Sequence, residues 1–127
     1  MDIRKLERIV VNALEDIKGK DIEVINTRKL TELFSRIVIA TGDSNRQCKA
    51  LAGNVEEKVR EAGGEIVGVE GMDTGEWVLV DLGEIVVHVM QPKVRARIAA
   101  GDPDNTLLEL LPAPVLDYIR QHHLYTS

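Results

Sequence analysis

The chain has 127 residues, a length that suits one domain. Its apolar fraction of 44% can supply a core, but aromatic residues make up only 3%, so that core must be built from Val, Ile, Leu and Ala. The net charge of −5 argues against nucleic acid as the main ligand, because phosphate neutralisation needs an excess of Lys and Arg; it suits a basic protein partner better.

Ile3, Leu6, Ile9, Val10, Ala13, Leu14 and Ile17 recur at the helical period. They predict an amphipathic helix over residues 2–18, ended by Gly19. Asp21 to Asn26 reads as a strand with Ile22 and Val24 on one face. Leu33 to Ala40 reads as a second strand. Its centre, Ile37-Val38-Ile39-Ala40, is apolar on both faces and so belongs inside a sheet. Thr41 to Asn45 turns into a second helix, with Ser44 as N-cap and Gln47, three residues on, completing a capping box. Cys48, Leu51, Ala52, Val55, Val59 and Ala62 continue that helix until Gly63-Gly64. Cys48 is the only cysteine, so no internal disulfide can form, and its place in the stripe is that of a small buried hydrophobe. Ile66 to Val69 is a third predicted strand.

Two more strands, Trp77 to Leu82 and Ile85 to Met90, are joined by a tight turn at Gly83-Glu84. If Leu82 pairs with Ile85, then Val78, Val80, Leu82, Ile85, Val87 and Val89 share an aliphatic face. The other face carries Trp77, Leu79, Asp81, Val86, His88 and Met90, a mixture that suits recognition better than an interior. Pro92 fits the first turn of a further helix holding Val94, Arg95 and Ile98. Beyond Ala100, Gly101-Asp102-Pro103-Asp104-Asn105 is a loop signal, Pro112-Ala113-Pro114 breaks again, and Val115 to His122 reads as a last amphipathic helix. The order predicts an α+β fold: a mixed sheet of about five strands with helices on one face, plus a helical C-terminal tail. The other face is then open, and Trp77, Asp81 and His88 are expected there. No apolar run approaches the ~20 residues of a membrane helix, and Met1-Asp2-Ile3-Arg4-Lys5 lacks a signal-peptide pattern. A cytoplasmic protein is the expectation.

Two motifs in this chain resemble those of the ribosomal silencing factors, the Iojap-like proteins. The first is Thr41-Gly42-Asp43-Ser44-Asn45-Arg46-Gln47. The second starts at Glu70-Gly71, continues through Trp77-Val78 and Asp81, and ends in Val87-His88-Val89. The resemblance runs from about Asp2 to Arg95 and fails beyond it, where the family's Leu-Glu-x-Leu-Trp-like ending is echoed only by Leu107-Leu108-Glu109-Leu110-Leu111. A domain over 1–100 and a divergent tail over 101–127 are expected. The resemblance implies a nucleotidyltransferase-like fold and a translational repressor. That repressor would bind a large-subunit ribosomal protein on the subunit-joining face and sterically block association with the small subunit when nutrients are scarce. It also implies a partner surface made of Glu70, Gly71, Trp77, Asp81, His88 and Met90, with Arg46 and Arg95 reaching it from the edge. Trp77 and Met90 would anchor, Glu70 and Asp81 would meet basic or amide groups, and His88 would fix hydrogen-bond register. Members of the family are often dimeric in isolation, so a homodimer off the ribosome is also implied.

Catalysis is weakly encoded. A Gly-containing strand-to-helix turn such as Thr41–Asn45 can cradle phosphate, but a nucleotidyltransferase needs two carboxylates at alternate strand positions for magnesium. Here Asp81 alternates with Leu79, and Glu84 falls in the turn. No second His or Cys stands at ligand spacing from His88, and Asp81 with His88 lacks an obvious nucleophile. No cofactor and no metal are expected. The competing readings are an enzyme with a degenerate nucleotidyltransferase site and a small homodimeric scaffold in which the Trp77 face pairs with itself.

Overall fold

Asp2 starts the first helix, its carboxylate accepting the Arg4 amide at 3.2 Å. The computed structural model describes residues 1–26 and 35–94. Its elements in chain order are α1 (Ile3–Asp16), β1 (Lys20–Asn26), β2 (Arg36–Thr41), α2 (Asn45–Glu61), β3 (Gly68–Glu70), β4 (Trp77–Asp81) and β5 (Ile85–Met90). Residues 92–94 begin a further helical turn at Pro92, as expected. Arg95, the sequence-predicted helix of 115–122 and the tail of 101–127 lie outside the described residues.

The end of α1 differs from the sequence expectation. Lys18, not Gly19, takes the left-handed conformation, with φ of +60°. The amides of Lys18 and Gly19 then return to the carbonyls of Glu15 and Leu14, closing the helix as a Schellman motif. Gly19 is needed for a different reason: a Cβ there would stand 3.0 Å from the Leu14 carbonyl oxygen and 3.2 Å from a Leu51 methyl. The glycine therefore lets the chain pass between the two helices.

Ser44 caps α2 as expected, its hydroxyl accepting the Gln47 amide at 3.0 Å. Gln47 departs from a simple capping box. Its Oε1 accepts from the Asp43 amide at 2.7 Å rather than from Ser44, and its Nε2 donates to the carbonyls of Ile17 and Lys18. One side chain thus joins the start of α2 to the end of α1. Gln47→Ala is expected to lower stability by ~1 kcal/mol in urea denaturation, since it removes three hydrogen bonds to backbone groups, of which the one to the Ile17 carbonyl is part-buried. Arg46→Ala, next to it but exposed, should change stability by less than ~0.5 kcal/mol.

The five strands form one mixed sheet in the order β1-β2-β5-β4-β3. β2 and β5 are parallel and the other neighbours antiparallel. The apolar centre of β2 is explained by its interior place between β1 and β5. The third strand starts two residues later than expected, at Gly68; before it Ile66 packs on the core, Val67 is exposed, and the Val67 amide donates to the Asp81 carbonyl at 2.8 Å. Both helices cover one face. There Leu6, Val10, Ala13 and Leu14 of α1 meet Leu51, Ala52, Val55 and Val59 of α2, over Val38, Val78, Val80, Ile85, Val87 and Val89. Cys48 joins this core, where burial raises its thiol pKa to about 11, so it behaves as an unreactive hydrophobe.

Candidate functional site

The two-residue turn sets the register of the motif strands. The Leu82 amide donates to the Ile85 carbonyl at 2.9 Å, and Gly83 adopts φ of +88° at the first loop position, as a II′-type hairpin requires. Asp81 finishes the turn: its Oδ1 accepts the Gly83 amide at 2.8 Å. Pairing then runs Trp77 with Met90, Leu79 with His88, and Asp81 with Val86. The expected division of the hairpin into an aliphatic face and a mixed face is what forms.

The second face extends across the whole sheet. Glu70, Leu79, His88, Ile39 and Glu23 make one row, from β3 through β4, β5 and β2 to β1. Trp77, Met90, Thr41 and Lys20 make the next. Its central part is closed, which corrects the expectation of an open face. Trp77 and Met90 are 2% exposed, His88 4%, Asp81 6%, and Leu79 and Val86 are fully buried. Accessibility rises toward β1, where Ile37 and Ile39 are half-buried and Ile25 is exposed.

Within that closed part the Trp77 Nε1–H donates to His88 Nδ1 at 2.8 Å, and the rings meet edge to face with centroids 5.7 Å apart. An indole nitrogen only donates, so Nδ1 is the acceptor and the neutral ring carries its proton on Nε2. Burial lowers the His88 pKa from the ordinary 6.5 to about 4. No buried side-chain polar atom among the described residues lacks a partner. Trp77 and His88 are therefore joined to each other, and Asp81 is tied to its turn.

The remaining expected residues gather at the end of the sheet where α2 begins. Glu70 is half-buried on edge strand β3, and Gly71 follows it with φ of +89°. Arg46 is exposed in the first turn of α2. Sequence reasoning missed what locks this end. The Gly42 amide donates to the Met90 carbonyl, the Gln91 side chain bonds to Asn45, and Gly75 lies so close that a Cβ would stand 2.7 Å from the Asn45 carbonyl oxygen. Gly75, in the second motif, was the available signal: its φ of +75° and this contact both exclude a side chain. Phosphate binding at the turn before α2 gains no support, because the amides of Gly42, Asp43 and Gln47 already have protein acceptors. Among the described residues no group of three or more His, Cys, Asp or Glu is placed to hold a metal, and no helix is long and apolar enough to cross a membrane.

The family model "Ribosomal silencing factor during starvation" matches residues 1–99. A ribosomal silencing factor RsfS from Chromobacterium violaceum is 60% identical over 95 residues, which are 75% of this chain and 78% of the relative. The Haemophilus influenzae protein of the same name is 37% identical over 90 residues, 71% of this chain and 88% of the relative. The crystal structure of a Chromobacterium violaceum protein superposes with a TM-score of 0.76 at 57% identity, covering 78% of this chain and 82% of that one.

Proposed function

The chain belongs to the ribosomal silencing factor family, and on that premise we propose that it represses translation by occupying a large-subunit ribosomal protein on the subunit-joining face. The small subunit is then excluded sterically, with no catalytic step, in the cytoplasm. The observation that carries this reading is the match to the family over residues 1–99, which includes both motifs and the whole described sheet. The acidic balance supports it, because a chain of net charge −5 is steered toward basic ribosomal protein surface.

The contact lies on the second sheet face and its rim. Glu70 and Arg46 reach solvent and touch the partner directly; Gly71 shapes the loop beside them. Trp77, His88 and Met90 hold the face in form from its closed centre, and Asp81 sets the hairpin end. Arg95 is assigned to the same rim on the motif alone. Off the ribosome, a second copy of the chain competes for this face.

The test is co-sedimentation of the purified protein with isolated large and small subunits. Binding to large subunits alone is expected, and protein added before mixing should reduce subunit joining. Glu70→Lys should weaken binding about tenfold or more while leaving the fold intact, because like charge now meets a basic partner. Failure of the wild type to bind large subunits would overturn the proposal.

A further inference from the structure

We propose that a groove at the hairpin end of the molecule, on the helix-covered side of the sheet, docks a short segment of a partner protein in which one aliphatic side chain lies between lysines or arginines. The groove has a volume of about 370 Å³, which is in the range of ligand pockets. Leu6 of α1 and Leu82 beside the β4–β5 turn form its floor. Met1, the Gly63-Gly64-Glu65 connection after α2, and Glu84 of the turn form its rim. The floor is the place where the core opens. Leu6 is 8% exposed and Leu82 7%, whereas every other buried member of that core cluster is fully enclosed.

Apolar surface continues outward from that floor. Among the described residues the exposed large hydrophobic side chains are Met1 and Val67 at this end and Val24 and Ile25 on β1. Met1 Cε lies 3.3 Å from where a Gly64 Cβ would stand, so the missing side chain leaves room for the methionine to rest on the connection. A thioether side chain adapts its shape to what enters beside it. Val67 flanks the turn, with Cγ2 3.7 Å from where a Gly83 Cβ would stand. An apolar opening with a polar rim gains from burying an aliphatic side chain. The rim sets the charge of its neighbours. Glu65 and Glu84 are exposed and engage no cation among the described residues, whereas Glu7, Glu56 and Glu61 pair with Arg36, Arg60 and Lys58. Lysine or arginine beside the aliphatic residue lays its stem on the apolar surface and brings its head to these carboxylates. An acidic segment is repelled by the same two groups.

The groove lies apart from the second sheet face and is tested without ribosomes, so it stands or falls independently of the function proposed above. Three capped peptides, Lys-Leu-Lys, Glu-Leu-Glu and Lys-Gly-Lys, are titrated into the isotope-labelled full chain, and binding is read from backbone amide signals. Lys-Leu-Lys should move the signals of Gly63, Gly64, Leu82 and Glu84 before any others. The other two peptides, one with the charge reversed and one without the aliphatic side chain, should move them less at the same concentration. Glu65→Gln and Glu84→Gln should each weaken binding of Lys-Leu-Lys about two- to fivefold, the worth of one exposed ion pair, with the rest of the spectrum unchanged. Equal shifts with Glu-Leu-Glu, shifts confined to another part of the molecule, or indifference to both carboxylate substitutions would each overturn the proposal. So would groove signals that move with protein concentration before peptide is added, because a second copy of the chain is then the occupant.

Discussion

Trp77→Ala is expected to remove a large share of this chain's stability: truncating a fully packed tryptophan costs ~3–5 kcal/mol. Trp77 is 2% exposed, and the truncation leaves a cavity between Leu79 and Met90. It also takes the donor from His88 Nδ1, and an orphaned buried acceptor adds a further ~1–3 kcal/mol where water does not enter. Domains of this size have only ~5–15 kcal/mol in total. Trp77→Phe is expected to cost less: it keeps a six-membered ring in the site but loses the pyrrole part of the indole with its N–H, so ~1–3 kcal/mol is expected. Both are read by urea denaturation followed by circular dichroism, because either substitution removes the only tryptophan. A loss under ~1 kcal/mol for Trp77→Ala would mean that the indole is not part of the fold, and would restore it as an open anchor.

This expectation changes how binding data are read. A partner-binding defect in Trp77→Ala cannot separate a lost contact from a lost fold. Glu70→Lys can, because Glu70 sits half-buried on an edge strand where a charge change leaves the core untouched. Surface position, rather than chemical conspicuousness, decides which motif residue is the better probe.

The contrast also shows what the sequence could reveal. Period-two alternation around Gly83-Glu84 was sufficient to place every hairpin side chain on its face, because the turn fixes register and a one-residue slip would reverse all of them. The doubly apolar centre of β2 likewise revealed an interior strand. Alternation reports which face a residue occupies and says nothing of whether that face is covered. Trp77, Asp81 and His88 were therefore assigned to the right side and the wrong exposure. Their mixed polarity looked like a recognition surface, yet two of them satisfy each other and the third satisfies a turn. Hydrogen bonding between residues eleven apart in the chain leaves no periodic trace. Gln47 shows the same limit on a helix: its capping spacing was readable, but its bonds to Ile17 and Lys18 depend on where α1 ends. That end was itself displaced by one residue, since Lys18 accepts a left-handed φ that composition would assign to Gly19.

Stability should fall as the solution is acidified from pH 6.5 toward 4, and His88 should account for ~3 kcal/mol of the fall. The sign follows from which state binds the proton. His88 has a pKa of about 4 when folded and 6.5 as its ordinary value. Between those limits the unfolded chain carries a proton that the folded chain refuses, so stability rises with pH across that window. The contribution is complete above pH 6.5 and is lost as pH falls through the window; below about 4 both states are protonated and the slope from this group ends. A gap of roughly 2.5 pKa units corresponds to ~3 kcal/mol. Carboxylates add their own pH dependence, so the quantity to measure is the difference between wild type and His88→Asn at each pH, from urea midpoints. That difference should favour wild type increasingly as pH rises from 4 to 6.5 and be flat above.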